Sequence, residues 1–238
     1  MKQRIWELDA LRGLCILGVV IVHGLFDAVE LYGLISWDYP HWYTQIVTLG
    51  GLMFFVLSGI CVTLGSRCIR RGCIVFLGGM ACTLVTWGMY RLGFAHKSII
   101  IYFGVLHCLG ACMLLWSVFR KLPWWALAAL GIAFAVLGKY LDTIHPEHLW
   151  LMPLGMYPLS FASADYFPLV FHLGFFLVGA ALGKTLYKNK TTLFPKVDPQ
   201  AQPARFFCGC GKASLWIYLL HQPALAGVFT ALSQIVRS

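Results

Sequence analysis

The stretch LDALRGLCILGVVIVHGLFDAVELYGL, residues 8–34, is long and apolar enough to lie in lipid, yet it carries Asp9, Arg12, His23 and Asp27. At 100° per residue the step from Arg12 to His23 ends about 20° past three full turns, and Asp9 and Asp27 each fall about 60° from Arg12. All four side chains therefore face one way. Ionisable groups at membrane depth cost roughly 2.5 to 3.5 kcal/mol each on insertion scales unless they face a protein interior or a wet cavity. A helix that keeps such a stripe is expected to use it. A snorkelling Arg12 and a helix-to-helix hydrogen bond from His23 would account for each group separately. Asp27, one turn past His23, adds what that account lacks: a carboxylate there orients an imidazole and stabilises its protonated form, the arrangement a general base needs. The rise of 1.5 Å per residue sets His23 roughly 16 Å deeper than Arg12 along the helix.

The whole chain matches that first helix in character. Its 238 residues are 60% apolar and 11% charged, with a mean hydropathy of +0.77, the profile of a polytopic membrane protein. We read 1–238 as one integral membrane domain, an all-α transmembrane bundle of about seven helices near 10–34, 44–65, 73–93, 98–119, 122–141, 166–187 and 212–235, each close to the ~20 residues a bilayer requires. Lys2 and Arg4 ahead of an apolar run imitate a secretory signal, but Glu7, Asp9, Arg12 and His23 interrupt it and no small-x-small cleavage site follows, so the first span is read as retained.

Charge sets the orientation. With the N-terminus in the cytoplasm, inner segments carry twelve cations (Lys2, Arg4, Arg67, Arg70, Arg71, Arg120, Lys121, Lys184, Lys188, Lys190, Lys196, Arg205) and outer segments four (Arg91, Lys97, Lys139, Arg237), which favours N-terminus in and C-terminus out. The formal charge of +9 is spread over cytoplasmic loops, so it implies no nucleic acid. Seven of the nine cysteines lie in or at the edges of spans, and Cys208 and Cys210 stand one residue apart without a nearby His, so neither a disulfide framework nor a metal site is expected.

Three connections exceed a tight turn. The first, 35–43, holds Trp37, Tyr39, Trp42 and Tyr43 and reads as an interfacial aromatic belt. The second, 143–165, is broken by Pro146, Pro153 and Pro158 and lies on the outer side, where it would cap a site. The third, 187–207, is polar and basic and is expected to be the most mobile. Its Asn189-Lys190-Thr191 sequon falls on the cytoplasmic side, away from glycosylation. Other spans offer partners for the stripe: Tyr102 and His107 in YFGVLHCLG, residues 102–110, and Ser214, Tyr218 and His221, which fall within about 60° of one another on the last helix.

The run Arg4, Glu7, Leu8, Asp9, Arg12 and Gly13, followed by His23 and Asp27, resembles the heparan-alpha-glucosaminide N-acetyltransferase-like catalytic domain of bacterial membrane proteins. The likeness continues in FFVLSG (54–59), in Gly104 to Gly110, in SADYFP (163–168), and in Gly211 through Ser214, Tyr218, His221, Gln222 and Pro223. Arg12 and His23, with ten residues between them, are also similar to the R-x10-H pattern of the wider transmembrane acyltransferase superfamily. The resemblance implies an enzyme of a bacterial cytoplasmic membrane that takes an acyl group, usually acetyl, from cytoplasmic acyl-CoA and delivers it to an amine or hydroxyl of an extracytoplasmic glycan or small-molecule acceptor, without a metal. It makes His23 the catalytic base or acyl carrier, with Asp27, His107, Asp165 and His221 as further catalytic candidates. Arg12, Arg67, Arg70, Arg71 and Lys184 are the candidates for the CoA phosphates, and Asp165, Tyr218 and Ser163 for the acceptor. Ordinary positive-inside bias accounts equally well for each of the loop cations, and Asp165 stands equally well as a helix N-cap before Tyr166. Seven spans are fewer than larger relatives possess, which leaves the acceptor open and suggests a minimal core completed by a homodimer.

A proton-coupled transporter or channel is the alternative, since intramembrane His, Asp and Arg also serve a proton relay, although neither repeats nor helices broken at mid-membrane are evident. Lys212 lies too near a helix end for a retinal protein, and no helix pair carries the spaced histidines of a b-type cytochrome.

Overall fold

A computed structural model describes residues 5–237, and the side chains through Gln234. Lys2 and Arg4, counted above as cytoplasmic, lie outside the described residues, as does the side chain of Arg237. Among the described residues eight α-helices follow in order: α1 (Trp6–Phe26), α2 (His41–Leu64), α3 (Cys68–Arg91), α4 (Val105–Phe119), α5 (Trp124–Leu141), α6 (Leu169–Leu186), α7 (Ala204–Lys212) and α8 (Ser214–Arg237). Six are long and apolar enough to cross a membrane: Trp6–Leu31 (α1 with its extension), α2, α3, α5, α6 and Ser214–Gln234 of α8. The protein is thus a multi-pass helical bundle.

The boundaries correct the sequence reading in four places. α1 begins at Trp6 and, from Asp27 to Leu31, continues as a wider π-helical turn. The third span starts at Cys68, so Arg70 and Arg71 belong to its first turn and not to a loop. The sixth starts at Leu169, behind Pro168, which sets an extended backbone before the helix. The fourth is the largest change. Its helix is the 15 residues from Val105 to Phe119, about 22 Å at 1.5 Å per residue, against a hydrocarbon core of about 30 Å.

The chain divides into two compact units, Met1–Phe54 with Thr191–Ser238, and Phe55–Lys190. In the first, α1 packs against α7 and α8. Glycine makes the first of these contacts possible: a Cβ at Gly13 would overlap the Phe207 carbonyl oxygen, and one at Gly211 the Asp9 carbonyl oxygen. Glu7 is buried, and a buried carboxylate needs donors. Thr192 Oγ1 and the Leu193 amide each donate to it at 2.8 Å, and the Cys208 thiol donates to the Trp6 carbonyl. The 187–207 connection, expected to be mobile, is therefore anchored to the start of α1, and its last turn is already helix α7. In the aromatic loop, Tyr39 stacks on Tyr43 at 5.2 Å with Trp37 edge-on to both.

In the second unit, α3 packs antiparallel to α4 and α5 antiparallel to α6. At Gly138 a Cβ would sit 2.5 Å from the Phe171 Cα, so α5 and α6 meet backbone to backbone there, the small-residue packing that serves helix association in lipid. Phe55, Leu127, Phe176 and Leu177 form its fully buried interior.

Candidate active site

The stripe of α1 meets α8 at one cluster. The imidazoles of His23 and His221 lie edge to face, 4.9 Å between ring centroids. The Asp27 carboxylate, 1% exposed, accepts from the Gln222 side-chain amide on both oxygens, at 3.1 and 3.3 Å. His221 is itself buried, and its Nδ1 sits 2.6 Å from the Tyr218 carbonyl oxygen. A carbonyl only accepts, so this contact puts the proton on Nδ1 and leaves the lone pair on Nε2. The π-helical turn beginning at Asp27 also carries the chain to Tyr32, whose hydroxyl donates to the Ala226 carbonyl at 3.1 Å. Wide turns of this kind recur at functional sites. Nearer the start of α1, Arg12 pairs with Asp9 one turn away, at 3.1 Å.

His107, Asp165 and Ser163 assemble in the other unit, around the start of α4. The segment 100–104 is extended and pairs with 163–167 through a bridge between Phe103 and Tyr166 and the Phe167 amide to the Phe103 carbonyl, 3.0 Å. Ser163 Oγ ties the two strands, donating toward the Ile100 and Asp165 carbonyls and receiving the Tyr102 amide. Non-helical backbone at membrane depth is tolerated where protein buries it, and Ile100 and Phe103 are buried. Asp165 caps a helix, though not the one the sequence suggested. Its Oδ2 accepts the Val105 amide at 3.0 Å, capping α4, while α6 begins behind Pro168. Gly104 permits this, since a Cβ there would overlap the Asp165 carboxylate.

His107 completes the α4 cap. Its Nδ1 accepts the Gly104 amide at 3.3 Å, so the ring proton is on Nε2, which faces Thr83 Oγ1 at 3.3 Å. Thr83 in turn donates to the Ile101 carbonyl at 2.6 Å. Both ring nitrogens are thus engaged by groups that fix backbone. Outside the spans, the hydrogen bond from Tyr157 to Asp142, 2.8 Å, pushes the Tyr157 phenol above its ordinary value, with burial adding to it. Burial does the same to Tyr166, which donates to the Met152 carbonyl.

A cationic cavity of about 450 Å³ opens at the ends of α2, α4 and α6, walled by Val62, Trp116 and Tyr187 and lined by Arg120, Lys121, Lys184, Lys188 and Lys190. Its volume suits a sizeable ligand. Lys184 donates to the Arg120 and Leu122 carbonyls at 2.8 and 2.6 Å, just past the end of α4, where a cation complements the helix dipole. Arg67, Arg70 and Arg71 do not line this cavity. They sit exposed at the N-terminal end of α3, the end that disfavours positive charge, so local helix stability does not explain them.

The structure thus brings His23, Asp27, Tyr218 and His221 together in one unit and His107, Ser163 and Asp165 in the other. Gln222, Thr83 and the cavity cations Arg120, Lys121, Lys188 and Lys190 were not among the sequence candidates for a site. Gln222 is marked in the sequence only by its position next to His221, and its carboxylate partner lies on another element.

Residues 4–223 match the family described as heparan-alpha-glucosaminide N-acetyltransferase, catalytic. Neither a curated protein nor a solved structure matches. The family match begins just ahead of Glu7 and runs through His221 and Gln222 to Pro223, so it takes in both histidines of the α1–α8 cluster, and this chain belongs to the heparan-alpha-glucosaminide N-acetyltransferase catalytic family, whose activity is that of a membrane acetyltransferase.

Proposed function

We propose that this protein transfers an acyl group, usually acetyl, from cytoplasmic acyl-CoA to an amine or hydroxyl of an extracytoplasmic glycan or related small acceptor. The observation that carries the reading is the His23–His221 pair beside Asp27 on two apolar helices, with His221 and Asp27 buried and His23 half-buried, within the span of the family match. An imidazole in such surroundings either attacks the thioester to become an acyl carrier or assists attack by the acceptor. In either route the acyl carbon gains a bond to the acceptor heteroatom, the carbon–sulfur bond breaks, and the acceptor proton ends on the CoA thiolate.

Arg12, Arg67, Arg70, Arg71 and Lys184, joined by Arg120, Lys121, Lys188 and Lys190, are the groups we assign to the phosphates of CoA. Five of these nine share one cavity, and clustered cations suit phosphate as scattered ones do not. Asp165, Ser163 and Tyr218 are assigned to the acceptor side, and His107 and Asp27 to holding the site. A bacterial cytoplasmic membrane and a homodimer fit the same reading.

The test is radiolabelled acetyl-CoA with glucosamine as probe acceptor, in detergent or proteoliposomes, paired with thermal unfolding. Acetyl-CoA should raise the melting temperature by mass action, less so in Arg12→Ala. Lys188→Glu with Lys190→Glu should raise KM for acetyl-CoA several-fold, and more at low salt, with kcat held. His23→Ala should abolish transfer and keep CoA binding. A folded protein that neither binds nor consumes any acyl-CoA would overturn the reading in favour of a proton-coupled transporter.

A further inference from the structure

The Nε2 of His221 has no hydrogen-bond partner among the described residues, although the ring is 7% exposed. A buried polar atom without a partner is uncommon and calls for a reason. Here the tautomer supplies one. The contact from Nδ1 to the Tyr218 carbonyl, 2.6 Å, holds the proton on that side of the ring, so the unpartnered Nε2 presents a lone pair. A backbone carbonyl on the same helix cannot take the proton away or rotate out of register, and it favours the ring that has just gained a second proton at Nε2. Those are the properties of a general base. His23, at 4.9 Å, faces the side-chain amide of Gln222 instead, a group that can turn, where the Tyr218 carbonyl of the helix backbone cannot. The two rings of the cluster are therefore not equivalent.

Resting on the acyl-transfer reading above, we propose that His221 is the base that takes the acceptor's proton, leaving His23 to meet the acyl group. As the acceptor nitrogen or oxygen bonds to the acyl carbon, its proton passes to His221 Nε2. In direct attack on the thioester held beside His23, the carbon–sulfur bond breaks and the proton on His221 goes to the departing CoA thiolate. If His23 already carries the acyl group, the bond that breaks is the one to His23 and the proton on His221 passes to the His23 nitrogen it frees, the CoA having left before. The titratable groups that face His221 are His23 and Asp27 from α1 and its π-helical turn, with Tyr218 on its own helix. Asp27 is held by Gln222, the residue next to His221, which keeps the carboxylate close without bonding it to either ring nitrogen of His221.

The deciding variant is His221→Asn. The Asn amide nitrogen occupies the place of Nδ1 and keeps the bond to the Tyr218 carbonyl, while the lone pair at Nε2 is gone. With acetyl-CoA and glucosamine as probes, this variant should melt and bind acetyl-CoA as the parent does. Its transfer rate should fall about 100-fold or more, and the rise of the parental rate with pH that reports the base should vanish. His221→Gln carries the same test if the Asn variant melts low. A folded His221 variant that transfers at the parental rate with the parental pH profile overturns this assignment and leaves the acyltransferase reading standing. A parent protein that consumes no acetyl-CoA removes both.

Discussion

Asp27 and Gln222, 195 positions apart in sequence, are joined by one amide that reaches both carboxylate oxygens, at 3.1 and 3.3 Å. This contact ties the π-helical turn after α1 to α8, and it determines what each side chain costs when removed. Asp27 is fully buried; once its donor is gone the carboxylate keeps its desolvation penalty. Gln222→Leu should therefore destabilise the protein by about 1–3 kcal/mol, and pairing it with Asp27→Leu should recover part of that loss. Thermal unfolding of the two single variants and the double variant gives the coupling directly. Additive effects would mean that the contact contributes nothing.

The backbone contact of α1 with α7 makes a second prediction. Gly13→Ala forces a methyl into the Phe207 carbonyl, whereas at Gly18 a Cβ meets nothing within 4 Å. Overpacking against backbone has no flexible side chain to absorb it, so Gly13→Ala should cost about 3 kcal/mol or more. Gly18→Ala should instead gain about 0.5–1 kcal/mol from helix propensity. Melting curves of the two variants in the same detergent test the contrast.

Asp165 is both a cap and a candidate for chemistry, and substitution separates the roles. Asp165→Ala removes the acceptor for the Val105 amide and should cost about 0.5–2 kcal/mol. Asp165→Asn keeps an oxygen there and should melt close to the parent. A loss of acetyl transfer in the Asn variant, measured at full folding, isolates the chemical role; parental transfer confines Asp165 to capping.

Tyr157 provides a pH signature in the connection between α5 and α6. Its phenol is raised above the ordinary 10.0, so the folded state holds this proton more tightly than the unfolded one. The stabilisation is complete below about pH 10 and is lost as pH rises through the folded value. Tyr157→Phe should cost about 1 kcal/mol at neutral pH, the low end for a hydrogen bond to a carboxylate because the pair is partly solvated. It should also flatten the alkaline decline in melting temperature. An unchanged decline would assign that slope elsewhere.

What the sequence made legible follows from which signals are local. The stripe on α1 and the position of His221 are carried by helical periodicity within a single element, and both rings of the 4.9 Å pair were identifiable from it. The shortness of α4 was not. Residues 100–104 are as apolar as the helix after them, so hydropathy runs straight through the break, and the groups that end the helix at Val105 are the Asp165 carboxylate sixty residues away and the Ser163 hydroxyl beside it. α7 escaped notice because nine residues with Gly209 and Gly211 among them give neither the length nor the propensity of a span. Its place is set by the close approach to Gly13. Gln222 carries no charge to mark it, and its role appears only once Asp27 is opposite.

The π-helical turn at Asp27–Leu31 amounts to one residue inserted into a helix, and a single residue is worth about 100° of phase. Everything after it on α1, Tyr32 with its reach to Ala226 and Thr230 included, is therefore clocked differently from the stripe before it. Family members that close this turn as ordinary α-helix should align with one residue fewer between the positions of Asp27 and Tyr32, and a one-residue deletion in this protein should leave the stripe intact while unfastening Tyr32 from α8.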